Sequence, residues 1–152
     1  MQSEHRFSQD KTAFYAVQIA LALGHLHKSK ILYRDLKPEN ILLDSNGYIK
    51  LSDFGLAKNA SESLTFCGTA EYISPEILNH ETHDHKSDWW AFGILIYEML
   101  TGVPPFYDQN RNMMFLQIQK SEVKWPEEDR HGFSLSEEAK DLIFLLLIKN
   151  KD

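Results

Sequence analysis

The stretch ILYRDLKPEN, residues 31–40, decides how this chain is read. An apolar lead-in (Ile31, Leu32, Tyr33) has the pattern of a short buried strand, and it runs straight into Arg34, Asp35, Lys37, Glu39 and Asn40 around Pro38. Charges packed this tightly behind a buried strand are costly unless they pair with one another or act on a ligand. A second stretch of the same build, LSDFGLAK at 51–58, ends its strand at Asp53, where Gly55 lets the chain turn sharply. Between the two, Ile41–Leu43 and Tyr48–Leu51 flank DSNG at 44–47, a hairpin signal. The expectation is that Asp35 and Asp53 lie on neighbouring strands joined through this hairpin, so that both carboxylates and the Asn40 amide meet at one edge. Such a set suits a magnesium polyphosphate, because Mg²⁺ takes one or two carboxylates and fills its shell with phosphate oxygens and water. Lys37 would add a point charge for a phosphoryl group.

Composition narrows the alternatives. The chain has 152 residues, 43% hydrophobic and 12% aromatic, which suits a folded domain with its own core. Its net charge is -6 with no basic cluster, so nucleic acid is not an expected partner, whereas a basic peptide fits the acidic balance. Cys67 is the single cysteine, which rules out an intrachain disulfide and a thiolate zinc site and fits a reducing compartment. MQSEHRFSQDK lacks the apolar core of a signal peptide, and LIFLLLI at 142–148 is too short to span a bilayer. A cytoplasmic, or nuclear, location without a membrane span is expected. HETHDH at 80–85 lacks the i, i+4 spacing of helical metal ligands and reads as a solvated loop.

Four helices are expected. Ser8 caps the first, whose apolar positions (Phe14, Val17, Ile19, Leu21, Leu23, Leu26) cover more than one stripe and predict a largely buried helix ending near Lys28–Lys30. SDWWAFGILIYEMLTGVPP is apolar nearly all round, with Ser87 as cap, Gly102 as stop and Pro104–Pro105 beyond it, so it belongs at the centre. A weaker helix covers about 112–119, and the last opens at SLSEEAKDLIFLLL, with Ser134 and Ser136 as rival caps. Residues 53–86 are long, small and aperiodic, as functional loops are.

Together these segments resemble the catalytic loop (R-D-x-K-x-x-N) and the D-F-G motif of eukaryotic protein kinases. SPE at 74–76 is similar to the kinase A-P-E, and SDWWAFG to the motif of the central helix that follows. Tyr33 before Arg34 and TFCGTAEY at 65–72 resemble the AGC group of serine/threonine kinases. The resemblance implies a kinase-like α+β fold, C-terminal lobe only: mainly α-helical, with a small antiparallel β patch at the catalytic loop. It implies ATP and Mg²⁺ as cofactors and serine/threonine side chains of proteins as acceptors. Asp35 would orient the substrate hydroxyl, Lys37 would contact the γ-phosphate, and Asn40 and Asp53 would hold the metal. Glu39 and Leu42 would join the nucleotide side, Leu42 as the floor of the adenine pocket. Glu39 and Glu98 would read a basic residue upstream of the phosphosite, and Thr69 fits a serine/threonine kinase. Thr65 matches the activation-loop phosphosite, placed there by an upstream activating kinase and paired with Arg34 and Lys58. Asp88 would brace the catalytic-loop backbone. Ala70 stands where the group has proline, and Ser74 where it has alanine.

None of the seven glycines stands in a G-x-G-x-x-G, and no strand-lysine segment precedes residue 31. Residues 1–152 are therefore expected to be a partial kinase domain, without the N-terminal lobe and without the end that supplies an Arg to a buried Glu76. Stranding one partner of a buried pair costs roughly 3–5 kcal/mol. Two readings follow: part of a serine/threonine kinase inactive in isolation, or a noncatalytic kinase-like interaction module.

Overall fold

A helix with no polar face can be stable only where protein surrounds it, and the computed structural model places one there. The structure describes residues 5–59, 69–82, 84–127 and 132–149. In chain order it has α1 (Gln9–Lys28), β1 (Ile31–Leu32), a 3₁₀ turn Pro38–Asn40, β2 (Ile41–Leu43), β3 (Ile49–Leu51) and β4 (Lys58–Asn59). A second 3₁₀ turn, Ala70–Tyr72, precedes α2 (Pro75–Leu78), α3 (Lys86–Thr101), α4 (Arg111–Lys120) and α5 (Glu137–Leu146). α3 is the axle: Trp90 and the run from Ala91 to Tyr97 are buried, and α1 and α5 both pack against it. Gly93 permits the α5 contact, since a Cβ there would stand 2.8 Å from Leu146 Cβ.

The start of α3 departs from expectation. Ser87 is not its cap; it lies buried inside the first turn and donates to the Asp84 carbonyl. The Asp84 carboxylate takes the leading N–H instead, from Lys86 at 2.7 Å. An acid two residues upstream satisfies one of the helix's orphan donors and complements its positive end at once.

α1 is capped by Ser8, whose hydroxyl accepts Lys11 N–H at 3.3 Å. It is not largely buried, however. One stripe (Thr12, Ala16, Ile19, Leu23) faces α3, while Phe14, Val17 and Leu21 are 49%, 60% and 70% exposed. The described neighbours of the helix, α3, β1 and β3, leave this second apolar stripe facing outward. Ser136, not Ser134, caps α5 and accepts Ala139 N–H at 3.3 Å.

The β patch is two separate antiparallel ribbons. β2 and β3 pair with Ile41 opposite Leu51, closed by a turn in which Asp44 accepts the Asn46 and Tyr48 amides. β1 pairs with β4, Leu32 opposite Lys58, and not with the hairpin. Asp35 and Asp53 therefore do not share a sheet, contrary to the sequence expectation. β1 and β4 are only two residues each, too short for a strand-length signal.

α3 stops at Gly102, whose φ of +89° suits glycine and whose N–H returns to the Glu98 carbonyl at 2.8 Å. A Cβ there would stand 2.4 Å from the His5 carbonyl oxygen. Gly102→Ala is expected to cost at least about 2 kcal/mol, the left-handed penalty plus a backbone clash. Urea unfolding of the two proteins checks it.

Candidate active site

Asp88 sits in the first turn of α3 and is 2% exposed, so its carboxylate must be met by donors. Oδ2 accepts the Tyr33 backbone N–H at 2.9 Å and lies 2.8 Å from His27 Nε2, while Oδ1 accepts the Arg34 N–H at 2.8 Å. The central helix thus clamps the backbone immediately before Asp35. Arg34 needs that clamp: its φ is +72°, a conformation that costs a non-glycine residue about 1–3 kcal/mol.

Tyr33 is the hub around which the acids gather. Its ring is fully buried and meets Phe54 edge-on at 5.4 Å, and its hydroxyl donates to the Ser52 carbonyl. Burial, then the charges of Asp35, Asp53 and Asp88, push its phenol up to about 12. The carboxylates converge through this ring and not through a common sheet.

Asp35 is buried and fully engaged. Asn40 Nδ2 donates to its carbonyl at 2.8 Å and to Oδ2 at 2.9 Å. Lys37 Nζ lies 2.9 Å from Oδ2 and donates to Thr69 Oγ1 at 3.1 Å, and the Thr69 hydroxyl donates to Asp35 Oδ1 at 3.2 Å. The carboxylate, the cation and a loop hydroxyl from 32 to 34 residues downstream form one network. Such charge-assisted bonds fix orientation as well as energy.

Asp53 follows β3 with φ +52° and accepts Gly55 N–H on Oδ1 at 3.1 Å. Its neighbour Ser52 donates both its N–H, at 2.9 Å, and its hydroxyl, at 3.1 Å, to the Asn40 carbonyl. Asp53 and Asn40 are thereby tied together. The Asn40 amide nitrogen points at Asp35, which turns its oxygen away, and the Asp53 side chain is exposed. One amide oxygen and one open carboxylate fit Mg²⁺ carried mainly by phosphate and water. Among the described residues no group of three or more His, Cys, Asp or Glu could hold a metal unaided.

A second acidic cluster lies toward α3. Glu98 accepts the Tyr72 hydroxyl, and its carboxyl is raised by burial and by the charges of Glu39 and Glu71 against the lowering effect of that bond. Burial, the Glu98 bond and the same carboxylates raise the Tyr72 phenol strongly. Leu42 is an open apolar side chain midway along β2, and exposed Lys58 lies opposite Leu32, two residues from Arg34. Thr65 and Cys67 lie outside the described residues, as does His83. Glu76 is half-buried, not buried, so solvent meets part of its charge and the penalty expected from the sequence shrinks. Ser74, standing where the group has alanine, has a fully buried hydroxyl that meets no hydrogen-bond partner among the described residues.

Sequence reasoning missed His27, Ser52, Glu71 and Tyr72. His27 meets Asp88 from 61 residues away and Tyr72 meets Glu98 from 26, distances at which no local pattern speaks. Ser52 was within reach, as a hydroxyl beside Asp53 facing the start of its own hairpin.

Comparison with known proteins agrees with this geometry. The family model described as protein kinase domain matches residues 1–152, and the chain belongs to that family. It is 49% identical over 155 residues to Protein kinase 2 of Dictyostelium discoideum, covering 100% of this chain and 31% of that protein. It is 44% identical over 154 residues to Ribosomal protein S6 kinase 2 alpha of Xenopus laevis and to Ribosomal protein S6 kinase alpha-1 of Homo sapiens, covering 99% of this chain and 20% of each. Such relatives place it with the AGC group, and its mostly helical build with a small antiparallel patch is that of the C-terminal lobe. The chain spans between 20% and 31% of the length of these relatives.

Two outcomes are expected. Ser74→Ala removes an orphan buried hydroxyl and should stabilise the fold by about 1 kcal/mol in urea unfolding. The raised Glu98 carboxyl favours the folded state most below its ordinary value of 4.5, and that contribution is lost as pH rises through the raised value. The stability of the native chain relative to Glu98→Gln should therefore fall from pH 4.5 upward and then level, as measured by unfolding at a series of pH values.

Proposed function

We propose that the chain is the substrate- and metal-handling lobe of a serine/threonine protein kinase that transfers the γ-phosphoryl of ATP to proteins. The supporting observation is the Asp35 carboxylate, bonded to Asn40, Lys37 and Thr69 and sharing the Tyr33 ring with Asp53. In this reading Asp35 receives the proton of the substrate hydroxyl as its oxygen bonds to phosphorus and the bond to the departing diphosphate breaks. Lys37 balances charge on the transferring group, and Asn40 and Asp53 hold Mg²⁺, which supplies charge neutralisation at the phosphates when bound. Leu42 meets the adenine. Glu39, Glu98 and Glu71 recognise a basic residue upstream of the acceptor, which agrees with the net charge of -6. Thr65 receives an activating phosphate from an upstream kinase, and Arg34 and Lys58 pair with it. Protein substrates are its partners, at a cytoplasmic or nuclear location; no described helix is long and apolar enough to cross a membrane.

Residues 1–152 contain no G-x-G-x-x-G, so in this reading the chain works joined to an ATP-cradling lobe. Alone it is expected to transfer negligible phosphate; Mg-ATP-dependent labelling of a basic peptide by the 152-residue chain, abolished by Asp53→Ala, overturns that. In a polypeptide joining it to such a lobe, a basic serine peptide should be phosphorylated, and Asp35→Asn should slow transfer by at least about 100-fold. An undiminished rate removes Asp35 from its role.

A further inference from the structure

The lip of the candidate site contains the same backbone construction twice, locked in one instance and unlocked in the other. Ser74 is extended (φ -79°, ψ 156°) and precedes Pro75, the first residue of α2. Thr69 is extended in the same way (φ -79°, ψ 131°) and precedes Ala70, the first residue of the 3₁₀ turn. Both leading residues occupy the region that a following proline demands, and both followers stand at the helical position that proline favours. Among the described residues the Ala70 N–H donates to no acceptor, so a proline there would sacrifice no hydrogen bond. Ala70 therefore retains backbone freedom at a position where the geometry does not need it.

The two ends of this turn are held unequally. Tyr72 is 8% exposed, bonded through its hydroxyl to Glu98, and followed by buried Ile73 and Ser74. Thr69 is held by its hydroxyl, on Asp35 and Lys37, and by the bond from the Tyr72 N–H to its carbonyl at 3.0 Å. We propose that Ala70 is a hinge: the Thr69 hydroxyl leaves Asp35 and Lys37 by rotation of the Ala70 backbone while Tyr72 stays anchored, so the lip of the site opens and closes. Opening frees one carboxylate oxygen of Asp35 and one donor of Lys37 for an incoming hydroxyl and its phosphoryl partner. That consequence rests on the phosphotransfer reading above, whereas the hinge itself does not.

Amide hydrogen exchange on the 152-residue chain tests the hinge without reference to activity. Breaking the Tyr72–Thr69 bond should let the Tyr72 amide exchange by local opening, at least about tenfold faster than Ile94 and Leu95 in the core of α3. Ala70→Pro should slow Tyr72 exchange by about two- to fivefold, and Ala70→Gly should accelerate it. Tyr72 exchanging at the rate of Ile94 overturns the proposal. So does a proline variant in which Tyr72 exchange is unchanged or faster. Should the proline variant fail to fold, an unaltered Tyr72 rate in Ala70→Gly overturns it equally.

Discussion

The Asp88 carboxylate joins the driest helix of the lobe to a backbone that would not otherwise hold its shape. Two amide bonds to an ionised acceptor are each worth about 1.5–3 kcal/mol, against about 1–3 kcal/mol for the left-handed Arg34, so the clamp outweighs the strain. Because α3 is enclosed by α1 and α5, its position is fixed by packing, and Asp35 inherits that fixity through Tyr33 and Arg34. His27 carries the same carboxylate back to α1. The placement of Asp35 thus depends on the end of α1 and the backbone that follows it meeting, at one oxygen pair, a helix that begins more than fifty residues later.

This explains which parts of the fold could be read in advance. The central helix announces itself, because Trp90 to Leu100 is apolar nearly all round, Glu98 apart, and Gly102 and the prolines end it within a few residues. The DSNG hairpin, the Ser8 cap and the Gly102 stop depend on neighbours in the chain and were legible for that reason. α1 was misjudged because apolar Phe14, Val17 and Leu21 count as core in a periodicity argument, whereas exposure depends on what lies opposite. The β1–β4 pairing was hidden because two-residue strands carry no pattern.

For the site, the chemistry was visible and the alignment was not. Asp35, Lys37, Asn40 and Asp53 are conspicuous as residues, since so many polar groups beside apolar strands need a purpose. What holds them lies in Tyr33, Ser52, Thr69 and His27, whose bonds span 12 to 61 residues. The buried orphan hydroxyl of Ser74 shows the same limit in reverse: one atom differs from alanine, and only its surroundings make it costly.

The β1–β4 ribbon has a topological consequence. By pairing Leu32 with Lys58 it closes residues 33–57 into a single loop that contains Asp35, Lys37, Asn40 and Asp53. A loop of this length closes at modest entropic cost, and its contacts are short in sequence, so the chemical groups can assemble as one local folding unit. Asp88 and Thr69 reach that unit from outside the loop, through contacts of longer range. The reactive groups and the groups that aim them are therefore separable in folding order, with the former able to gather before the latter arrive.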